Sequence, residues 1–392
     1  MTLETNLLGI KFPNPFLLAS GPPTANGAMI VNAFKAGWGG AVTKTIGLTP
    51  TRLPDPRLMV IKDVRNLRGM VNIELITDMT IDEWEIEIDL IRNEFPDRPL
   101  IASIMGGGDP YEWQEVIRRL EPHGVNAYEM NVSCPNFAGG RGAHLGQDPV
   151  TLASAIRWVR DATSLPVIVK LTPNVTDIVS LAKVVEESGA DAITATNTLS
   201  GLAGIDLDNF APMPTVGGIG VFGGYSGPSI KPVSLRCAAS IAQAVKIPLI
   251  GCGGIETWKD AAEYHAVGAT LIQICTAVMW NGIGIIDDLS NGLQHYLASH
   301  AFESVANLCG KALPRLVDYS YIDTGIILRA QVEQPLCIGC GICVEGCTSG
   351  GYQAIKLVDK VAIIDTDLCD GCGLCVGLCP TSAIKLLEIS KE

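Results

Sequence analysis

Residues 127–136, A-Y-E-M-N-V-S-C-P-N, hold a dense group of side chains that could do chemistry. The segment begins as an apolar strand and ends with the amides of Asn131 and Asn136, the hydroxyl of Ser133 and the thiol of Cys134. A lone free cysteine is usually a small buried core residue. Three polar neighbours at the end of a strand favour another interpretation, in which Cys134 gives a proton to a substrate carbon.

Eight of the 13 cysteines lie near the end of the chain, in two runs with the spacing C-x2-C-x2-C-x3-C. This spacing is typical of bacterial ferredoxins with two iron–sulfur clusters, in which the fourth cysteine of each run binds the other cluster. Zinc is the alternative, but zinc sites usually leave a long gap between two cysteine pairs. We therefore predict two [4Fe–4S] clusters, one held by Cys337, Cys340, Cys343 and Cys379 and one held by Cys347, Cys369, Cys372 and Cys375.

The length of 392 residues predicts two domains, or one large domain with an appendage. With 47% hydrophobic and 18% charged residues, the chain can form a sizeable core. A net charge of -13 argues against a nucleic-acid or anionic-membrane partner. The chain opens without a basic, apolar leader, and no apolar run approaches the roughly 18 residues of a membrane span. We expect a soluble, cytoplasmic protein.

Short apolar runs alternate with helix-like segments along most of the chain. Near-continuous apolar runs predict parallel strands buried on both faces, and eight of them predict an α/β fold of the (β/α)8 TIM-barrel type. An open doubly wound sheet is the alternative. The runs are Phe16–Ser20, Ala41–Thr45, Leu100–Met105, Ala127–Ser133, Val167–Leu171, Ala192–Thr196, Pro248–Gly251 and Leu271–Thr276. We place the barrel at residues 1–310, a linker at 311–330 and a ferredoxin-like domain at 331–392.

Polar residues and glycines collect at the carboxyl ends of the predicted strands, where TIM barrels carry their active sites. They are Ser20, Lys44, Asn131, Ser133, Cys134, Lys170, Asn197, Thr198, Gly253, Gly254 and Thr276. Both lysines lie within apolar runs, so each needs a buried anionic partner. Segments 46–76 and 199–231 are longer than ordinary barrel loops, and we expect them to cover this rim.

Asn72 and Glu74 lie two residues apart in the first long segment. In an extended chain this spacing puts both side chains on the same side. One amide and one carboxylate together suit a planar ring that carries alternating N–H and C=O groups. The alternative is a surface loop with ordinary polar residues.

Two glycine-rich stretches lie late in the barrel region. Gly251–Ile255, G-C-G-G-I, follows a predicted strand and precedes a helix, so its backbone N–H groups can hold a phosphate. Gly217–Gly224 follows no predicted strand and opens no helix, and we interpret it as a mobile loop rather than an NAD(P) site. A phosphate site beside two buried lysines fits flavin mononucleotide (FMN), whose reduced ring carries negative charge near N1. Lys170 is our first choice to stabilise that charge and Lys44 the second; a sugar phosphate would satisfy the phosphate site alone.

Five motifs resemble those of the dihydropyrimidine dehydrogenases, specifically their pyrimidine-reducing catalytic subunit (PreA-like), within the superfamily of class 1 dihydroorotate dehydrogenases. They are N-I-E-L-I at 72–76, N-V-S-C-P at 131–135, K-L-T-P-N-V-T-D-I at 170–178, T-A-T-N-T-L-S-G-L at 194–202 and G-Y-Q-A-I at 351–355. The resemblance covers nearly the whole chain. It implies reversible reduction of the C5–C6 double bond of uracil or thymine, with FMN in the barrel. It also implies a partner subunit that binds FAD and NAD(P)H and supplies electrons through the clusters, in a homodimer or heterotetramer.

The resemblance also implies roles for individual residues. Cys134 matches the cysteine that transfers a proton, and Lys170 is counted as catalytic with it. The substrate-binding positions match Asn72, Glu74, Asn131, Asn197 and Thr198, to which we add Asn136. The flavin-binding positions match Ser20, Lys44, Lys170, Gly227, Gly253, Gly254, Cys275 and Thr276.

Two further functions stay open. Asn136 stands where dihydropyrimidine enzymes usually have His, as in dihydroorotate enzymes, and the stretch 137–147 is shorter than theirs. A dihydroorotate dehydrogenase with an added electron-transfer module is therefore the alternative, although no cationic partner for a carboxylated substrate is evident near residues 72–76. The third hypothesis is a binding or electron-carrier protein with a vestigial barrel, against which Cys134 and the two buried lysines count.

Overall fold

The computed structural model describes residues 2–62, 68–133 and 143–389. The chain divides into two compact units, Met1–Arg315 and Leu316–Glu392, and the boundary falls inside the segment 311–330 that we predicted as a linker. Within the described residues, no helix combines the length and the apolar composition that a membrane span requires.

The first unit contains all the barrel strands and several short strands inserted between them. In chain order the strands are β1 (Thr5–Leu7), β2 (Ile10–Phe12), β3 (Phe16–Leu18), β4 (Gly40–Val42), β5 (Leu58–Lys62), β6 (Arg68–Asn72), β7 (Leu100–Ile104), β8 (Ala127–Asn131), β9 (Val167–Leu171), β10 (Ala192–Ala195), β11 (Leu199–Gly201), β12 (Gly204–Ile205), β13 (Pro212–Met213), β14 (Gly223–Ser226), β15 (Leu249–Cys252) and β16 (Ala269–Ile274).

Helices follow most of the barrel strands. They are α1 (Gly27–Ala36), α2 (Ile81–Glu94), α3 (Pro110–Leu120), α4 (Ala143–Gln147), α5 (Pro149–Arg160), α6 (Ile178–Glu187), α7 (Lys231–Ala244), α8 (Trp258–Ala266), α9 (Thr276–Asn281), α10 (Ile285–Ser299) and α11 (Val305–Leu308). Aspartates fix where three of them begin: Asp109, Asp148 and Asp177 each accept a hydrogen bond from a backbone N–H in the first turn of α3, α5 and α6.

Eight strands close into a barrel in the order β3–β4–β7–β8–β9–β10–β15–β16, and every neighbouring pair is parallel. Each of these strands overlaps one of the eight predicted apolar runs. The predicted TIM barrel is therefore confirmed, and the open doubly wound sheet is excluded. The larger hydrophobic core lies between the strands and the surrounding helices.

The barrel interior has an apolar layer with a largely polar layer above it. Each strand contributes one residue to the apolar layer: Leu17, Val42, Ile101, Ala127, Ile168, Ala192, Ile250 and Leu271. The antiparallel hairpin β1–β2 adds Leu7 and Phe12 to the same cluster. Because strand side chains alternate between faces, the next inward positions lie two residues further along each chain. They are Ala19, Lys44, Ser103, Glu129, Lys170, Thr194, Cys252 and Gln273.

The two long insertions form one sheet. Strands β5 and β6 from the first insertion and β11 and β14 from the second pair in the order β11–β14–β6–β5, all antiparallel. Gly223 and Gly224, which we predicted within a mobile loop, instead open β14: Gly223 pairs with Gly201 of β11, and Gly224 pairs with Asn72 of β6, a strand about 150 residues away in sequence. We call this four-stranded sheet the covering sheet.

The second unit is a small ferredoxin-like domain. Its helices and strands are β17 (Leu328–Val332), α12 (Ile342–Ser349), β18 (Ile355–Val358), β19 (Val361–Ile364), α13 (Leu374–Leu378) and β20 (Ile384–Glu388). Strand β17 pairs with β20 and β18 pairs with β19, both antiparallel. Its core is formed by Ala330, Ile355, Ala362 and Ile384 with two cysteines.

Candidate active site

A cavity of about 1140 Å³, open to solvent, lies at the carboxyl ends of the barrel strands. The covering sheet contributes to its wall through Met70, Asn72, Gly224 and Ser226. Of the 15 predicted catalytic, substrate-binding and flavin-binding residues, 13 line this cavity: Ser20, Lys44, Asn72, Glu74, Asn131, Lys170, Asn197, Thr198, Gly227, Gly253, Gly254, Cys275 and Thr276. The other two, Cys134 and Asn136, lie outside the described residues.

The polar layer of the barrel forms the floor of this cavity. Lys170 Nζ donates a hydrogen bond to Gln273 Oε1 at 3.0 Å and lies 3.6 Å from Glu129 Oε1. Glu129 Oε2 accepts hydrogen bonds from Thr194 Oγ1 at 2.7 Å and from Gln273 Nε2 at 2.5 Å. Glu129 is fully buried and Lys170 is 4% exposed. The expected anionic partner of Lys170 is therefore Glu129.

The charge on Lys170 is held by its surroundings. Burial is the largest single effect and lowers the pKa of Lys170, but the negative charge of Glu129 together with the nearby Cys252 and Cys275 more than offsets it, so the pKa ends above its ordinary value. Burial raises the pKa of the Cys252 thiol, and it raises the pKa of Cys275 to about 12, so both thiols are neutral at pH 7. The floor therefore presents an ammonium group to the cavity.

A second buried ion pair lies on the wall. Lys44 Nζ lies 2.6 Å from Glu74 Oε2, and Arg57 Nε donates to Glu74 Oε1 at 2.6 Å. Burial raises the pKa of Glu74. The charge of Lys44 and the hydrogen bonds from Lys44, Arg57 and Asn72 together lower it by more, so the pKa of Glu74 lies below its ordinary value. Glu74 is thus an ionised group whose two oxygens both face cations, and it also answers the predicted need of Lys44 for a buried anion.

Three asparagines line the cavity, and two of them, Asn131 and Asn197, are connected through the Ser133 hydroxyl. Asn131 Nδ2 donates to Thr45 Oγ1 at 2.9 Å, and its Oδ1 accepts from Ser133 Oγ at 3.1 Å. Asn197 Nδ2 donates to the same Ser133 hydroxyl at 2.7 Å. Asn72 Oδ1 accepts from the backbone N–H of Glu74 at 2.6 Å. Each amide is fixed in orientation and keeps donor or acceptor capacity for a ligand.

The predicted phosphate turn has the geometry of a close backbone approach. Gly253 and Gly254 have φ values of +119° and +71°, and a Cβ atom on Gly254 would lie 2.6 Å from the Lys231 backbone nitrogen. In the described part of the chain, neither glycine N–H donates a hydrogen bond to another protein group. Free N–H groups at a glycine turn suit an anion. Together with the ammonium group of the floor, this turn fits a phosphorylated flavin.

The eight tail cysteines surround two separate hollows in the second unit. Cys337, Cys340, Cys343 and Cys379 line one hollow. Cys347, Cys369, Cys372 and Cys375 line the other. Backbone N–H groups donate to the sulfurs of Cys337, Cys347 and Cys379 from Ala362, Ala354 and Ala383. These are the two groups of four that the sequence spacing predicts.

The sequence analysis missed several residues that shape the cavity. Glu129 and Gln273 are inward-facing members of the polar layer, and Thr45 binds Asn131, Ser20 and Ser103. A signal was present for the first two, because each lies two residues after an inward apolar residue of its strand. Arg57 carried no such signal, since it precedes β5 in a segment without clear periodicity.

Comparison with known proteins agrees with this architecture. Residues 2–297 match the dihydroorotate dehydrogenase family and residues 330–386 match the 4Fe-4S dicluster domain. The NAD-dependent dihydropyrimidine dehydrogenase subunit PreA of Escherichia coli (strain K12) is 35% identical over 363 residues, covering 91% of this chain and 88% of that protein. The chloroplastic dihydropyrimidine dehydrogenase (NADP(+)) of Arabidopsis thaliana is 36% identical over 350 residues, covering 85% and 81%.

A third relative aligns over a smaller share of this chain. The catalytic subunit of dihydroorotate dehydrogenase B (NAD(+)) of Pyrococcus abyssi is 38% identical over 313 residues, which is 79% of this chain and 99% of that protein. The barrel, its cavity and the cysteine-rich tail thus agree with the family match over most of the length. The chain belongs to the dihydroorotate dehydrogenase family and is a flavin- and iron–sulfur-dependent oxidoreductase that acts on CH–CH bonds.

Proposed function

We propose that this protein reduces the C5–C6 double bond of uracil or thymine, reversibly, with FMN in the barrel cavity and two [4Fe–4S] clusters in the tail. The observation that carries the proposal is the single cavity lined by all 13 described site residues. Its wall has paired charges and fixed amides, which suit a neutral ring with alternating N–H and C=O groups. Two relatives named as dihydropyrimidine dehydrogenases align over most of this chain.

The residues that would hold FMN lie on the floor and at one end of the cavity. Gly253 and Gly254 offer free backbone N–H groups for the phosphate, with Gly227 and Thr276 beside them in the cavity lining. Lys170 supplies positive charge where the ring of a reduced flavin becomes negative. When bound, FMN supplies the hydride for C6 of the pyrimidine.

The residues that would orient the substrate are the amides. Asn131 and Asn197 share the Ser133 hydroxyl, so the two side chains are held in one fixed relation to each other. Fixed donors and acceptors reduce the entropy lost when the ring is placed for reaction. Cys134 follows Ser133 directly in the chain, and we assign it the proton transfer: its thiol protonates C5 in the reduction and its thiolate removes that proton in reverse.

The electron supply lies outside this chain. The clusters of the tail supply one-electron transfer, and we propose a partner subunit that binds FAD and oxidises NAD(P)H. The relative from Escherichia coli is itself named as a subunit of an NAD-dependent enzyme. The two groups of four cysteines support two cluster sites.

Substitution of Cys134 tests the proton transfer. The variant Cys134→Ala should keep FMN and bind uracil, but lose most of its turnover because no acid reaches C5. Cys134→Ser is the matched control, with partial activity expected since a hydroxyl is a poorer acid. Normal turnover of the alanine variant would show that the acid is another group.

A dihydroorotate dehydrogenase is the second candidate, favoured by Asn136 and by the relative from Pyrococcus abyssi. The charges of the cavity wall oppose it. Lys44 and Arg57 are cations next to residues 72–76, but both already pair with Glu74, and Arg57 also pairs with Asp55. A photoreduced sample mixed with uracil, thymine or orotate distinguishes the two. Flavin oxidation by the neutral pyrimidines supports our proposal, and oxidation by orotate alone overturns it.

A further inference from the structure

Glu129 lies beneath the cavity rather than in its wall. The cavity lining includes Lys170, Gln273 and Cys252 from the polar layer but not Glu129, whose side chain is fully buried. A bound flavin or substrate therefore has no access to this carboxylate. Any influence of Glu129 on the reaction must pass through a neighbour, and the neighbour that faces the cavity is Lys170.

The two carboxylate oxygens of Glu129 are in different surroundings. Oε2 accepts both hydrogen bonds, from Thr194 Oγ1 and from Gln273 Nε2. Oε1 is buried, accepts no hydrogen bond within the described residues and lies 3.6 Å from Lys170 Nζ. One oxygen thus anchors the side chain, while the other directs negative charge at the ammonium group without binding it directly.

Gln273 connects the two charged groups. Its amide nitrogen donates to Glu129 and its amide oxygen accepts from Lys170 Nζ at 3.0 Å. This orientation matches a carboxylate below and an ammonium above. An ammonium group has three N–H donors and Lys170 lines the cavity, so donor capacity remains for a ligand there.

We infer that Glu129 is a positioning residue that sets how strongly Lys170 stabilises negative charge on a bound flavin ring; the inference rests on the proposed FMN site. The carboxylate keeps Lys170 protonated and at the same time offsets part of its positive charge. The other ionisable groups that face Lys170 are Cys252 and Cys275, which are neutral at pH 7, and the pair Lys44–Glu74 lies on the wall. Within the described residues, Glu129 is the carboxylate next to this lysine.

The variant Glu129→Gln suits the test because it preserves the packing. The retained oxygen can take the place of Oε2 and accept both hydrogen bonds, and the new amide nitrogen replaces an oxygen that accepts none. The substitution removes the negative charge and turns an N–H donor toward Lys170, and both changes leave the charge of Lys170 uncompensated. At pH 6 the uncompensated Lys170 should then stabilise the reduced ring better than in the wild type.

Sulfite provides a readout that is independent of turnover, because its adduct at flavin N5 leaves negative charge near N1. In the full chain loaded with FMN, Glu129→Gln should bind sulfite about tenfold more tightly than the wild type at pH 6. The difference in sulfite affinity between Glu129→Gln and the wild type should shrink as the pH rises to 9, because without Glu129 the buried Lys170 loses its proton more easily. In a Lys170→Gln background, the same substitution should have no effect.

Unchanged sulfite affinity and pH profile in Glu129→Gln would overturn the inference, and so would an equal effect in the Lys170→Gln background. Wild-type protein that binds no FMN would instead overturn the proposed function. If Glu129→Gln fails to hold flavin, Glu129→Asp replaces it. Glu129→Asp keeps the negative charge but moves it away from Lys170 by one methylene, so sulfite should bind a few-fold more tightly than in the wild type, with the same pH profile. A sulfite affinity equal to that of the wild type would refute the inference.

Discussion

Lys44 Nζ and Glu74 Oε2 lie 2.6 Å apart, and this contact joins the barrel to the segment that follows the covering sheet. Both side chains are buried, with 6% and 4% of their surfaces exposed. Each residue needs the other, because an unpaired charge at a buried position lowers the stability of the folded protein. The pair therefore helps to hold the covering sheet against the barrel at the cavity wall.

Glu74→Gln should destabilise the first unit, because it leaves Lys44 buried without its anion. Breaking one partner of a buried pair costs about 3 kcal/mol. All six tryptophans lie in the first unit, so thermal unfolding followed by tryptophan fluorescence reports on it alone. Arg57→Ala is the control, because the Arg57 side chain is 37% exposed and its loss should cost about 1 kcal/mol or less. Equal midpoints for the two variants would contradict this prediction.

The same pair should respond to acid in a defined direction. The pKa of Glu74 is lowered in the folded protein, so its contribution to stability is full above the ordinary value of 4.5 and is lost as the pH falls through the lowered value. The difference in unfolding midpoint between wild type and Glu74→Gln should stay constant from about pH 6 to 8 and shrink below about pH 4. A difference that grows in acid would show that the carboxylate is not the ionised partner of Lys44.

Gly254→Ala should weaken flavin binding by at least about tenfold. The new methyl group would meet the Lys231 backbone nitrogen at 2.6 Å, and the φ of +71° disfavours any L side chain. The turn must then move, and its free N–H groups lose their common direction. Titration of the apoprotein with FMN by fluorescence quenching measures the effect.

Gly282→Ala is the matched control for that experiment. Gly282 has a comparable φ of +82°, but a Cβ atom there would meet nothing within 4 Å. Gly282 has a ψ of 167°, a backbone region that only glycine adopts readily, so the variant should lose about 2 kcal/mol of stability through strain and leave FMN affinity unchanged. If both variants weaken FMN binding equally, the position of Gly254 at the ligand is not the cause.

The crossed grouping of the tail cysteines predicts a pattern in double variants. Cys347→Ser combined with Cys372→Ser removes two ligands from the same hollow, so about half of the iron should remain. Cys347→Ser combined with Cys340→Ser removes one ligand from each hollow and should affect both clusters. Iron and sulfide analysis with electron paramagnetic resonance distinguishes the outcomes. Uncrossed clusters would reverse the pattern, because Cys340 and Cys347 would then serve the same one.

His265 should make the first unit sensitive to mild acid. Burial lowers the pKa of His265 from its ordinary 6.5 to about 4; its Nδ1 lies 2.7 Å from the Ala269 carbonyl oxygen, to which it donates. The folded state thus resists protonation while the unfolded state accepts it, so stability falls as the pH drops below 6.5, by about 2 kcal/mol at pH 5.

The variant His265→Gln checks this effect, because glutamine keeps an N–H donor and does not titrate. Its unfolding midpoint at pH 7 should be lower than that of the wild type, since the fit in the core is imperfect. The decrease of its unfolding midpoint between pH 7 and pH 5 should nevertheless be smaller than that of the wild type. A drop of wild-type size would place the acid sensitivity elsewhere.

The barrel was predictable because its strands are buried on both faces and therefore appear as continuous apolar runs. The covering sheet was not, since the pairing of Asn72 with Gly224 depends on two segments that only the closed barrel brings together. The same limit applies to charges. The sequence showed that Lys170 needs an anion, but not that Glu129, 41 residues earlier, supplies it.

The tail shows the opposite case, in which local spacing was enough. Short turns hold the first three cysteines of each run around a common centre, and the exchange of the fourth cysteine between the runs follows from the ferredoxin pattern. The site residues were predicted by strand ends and by resemblance, and those that the structure describes share one cavity.

The crossed grouping of cysteines also has a consequence for biosynthesis. The first run supplies only three members of its hollow, and the fourth, Cys379, lies 36 residues after Cys343. The second hollow likewise needs Cys347 from the first run. Neither set is complete until the second run has been translated, so a nascent chain that carries only the first run cannot complete either cluster site.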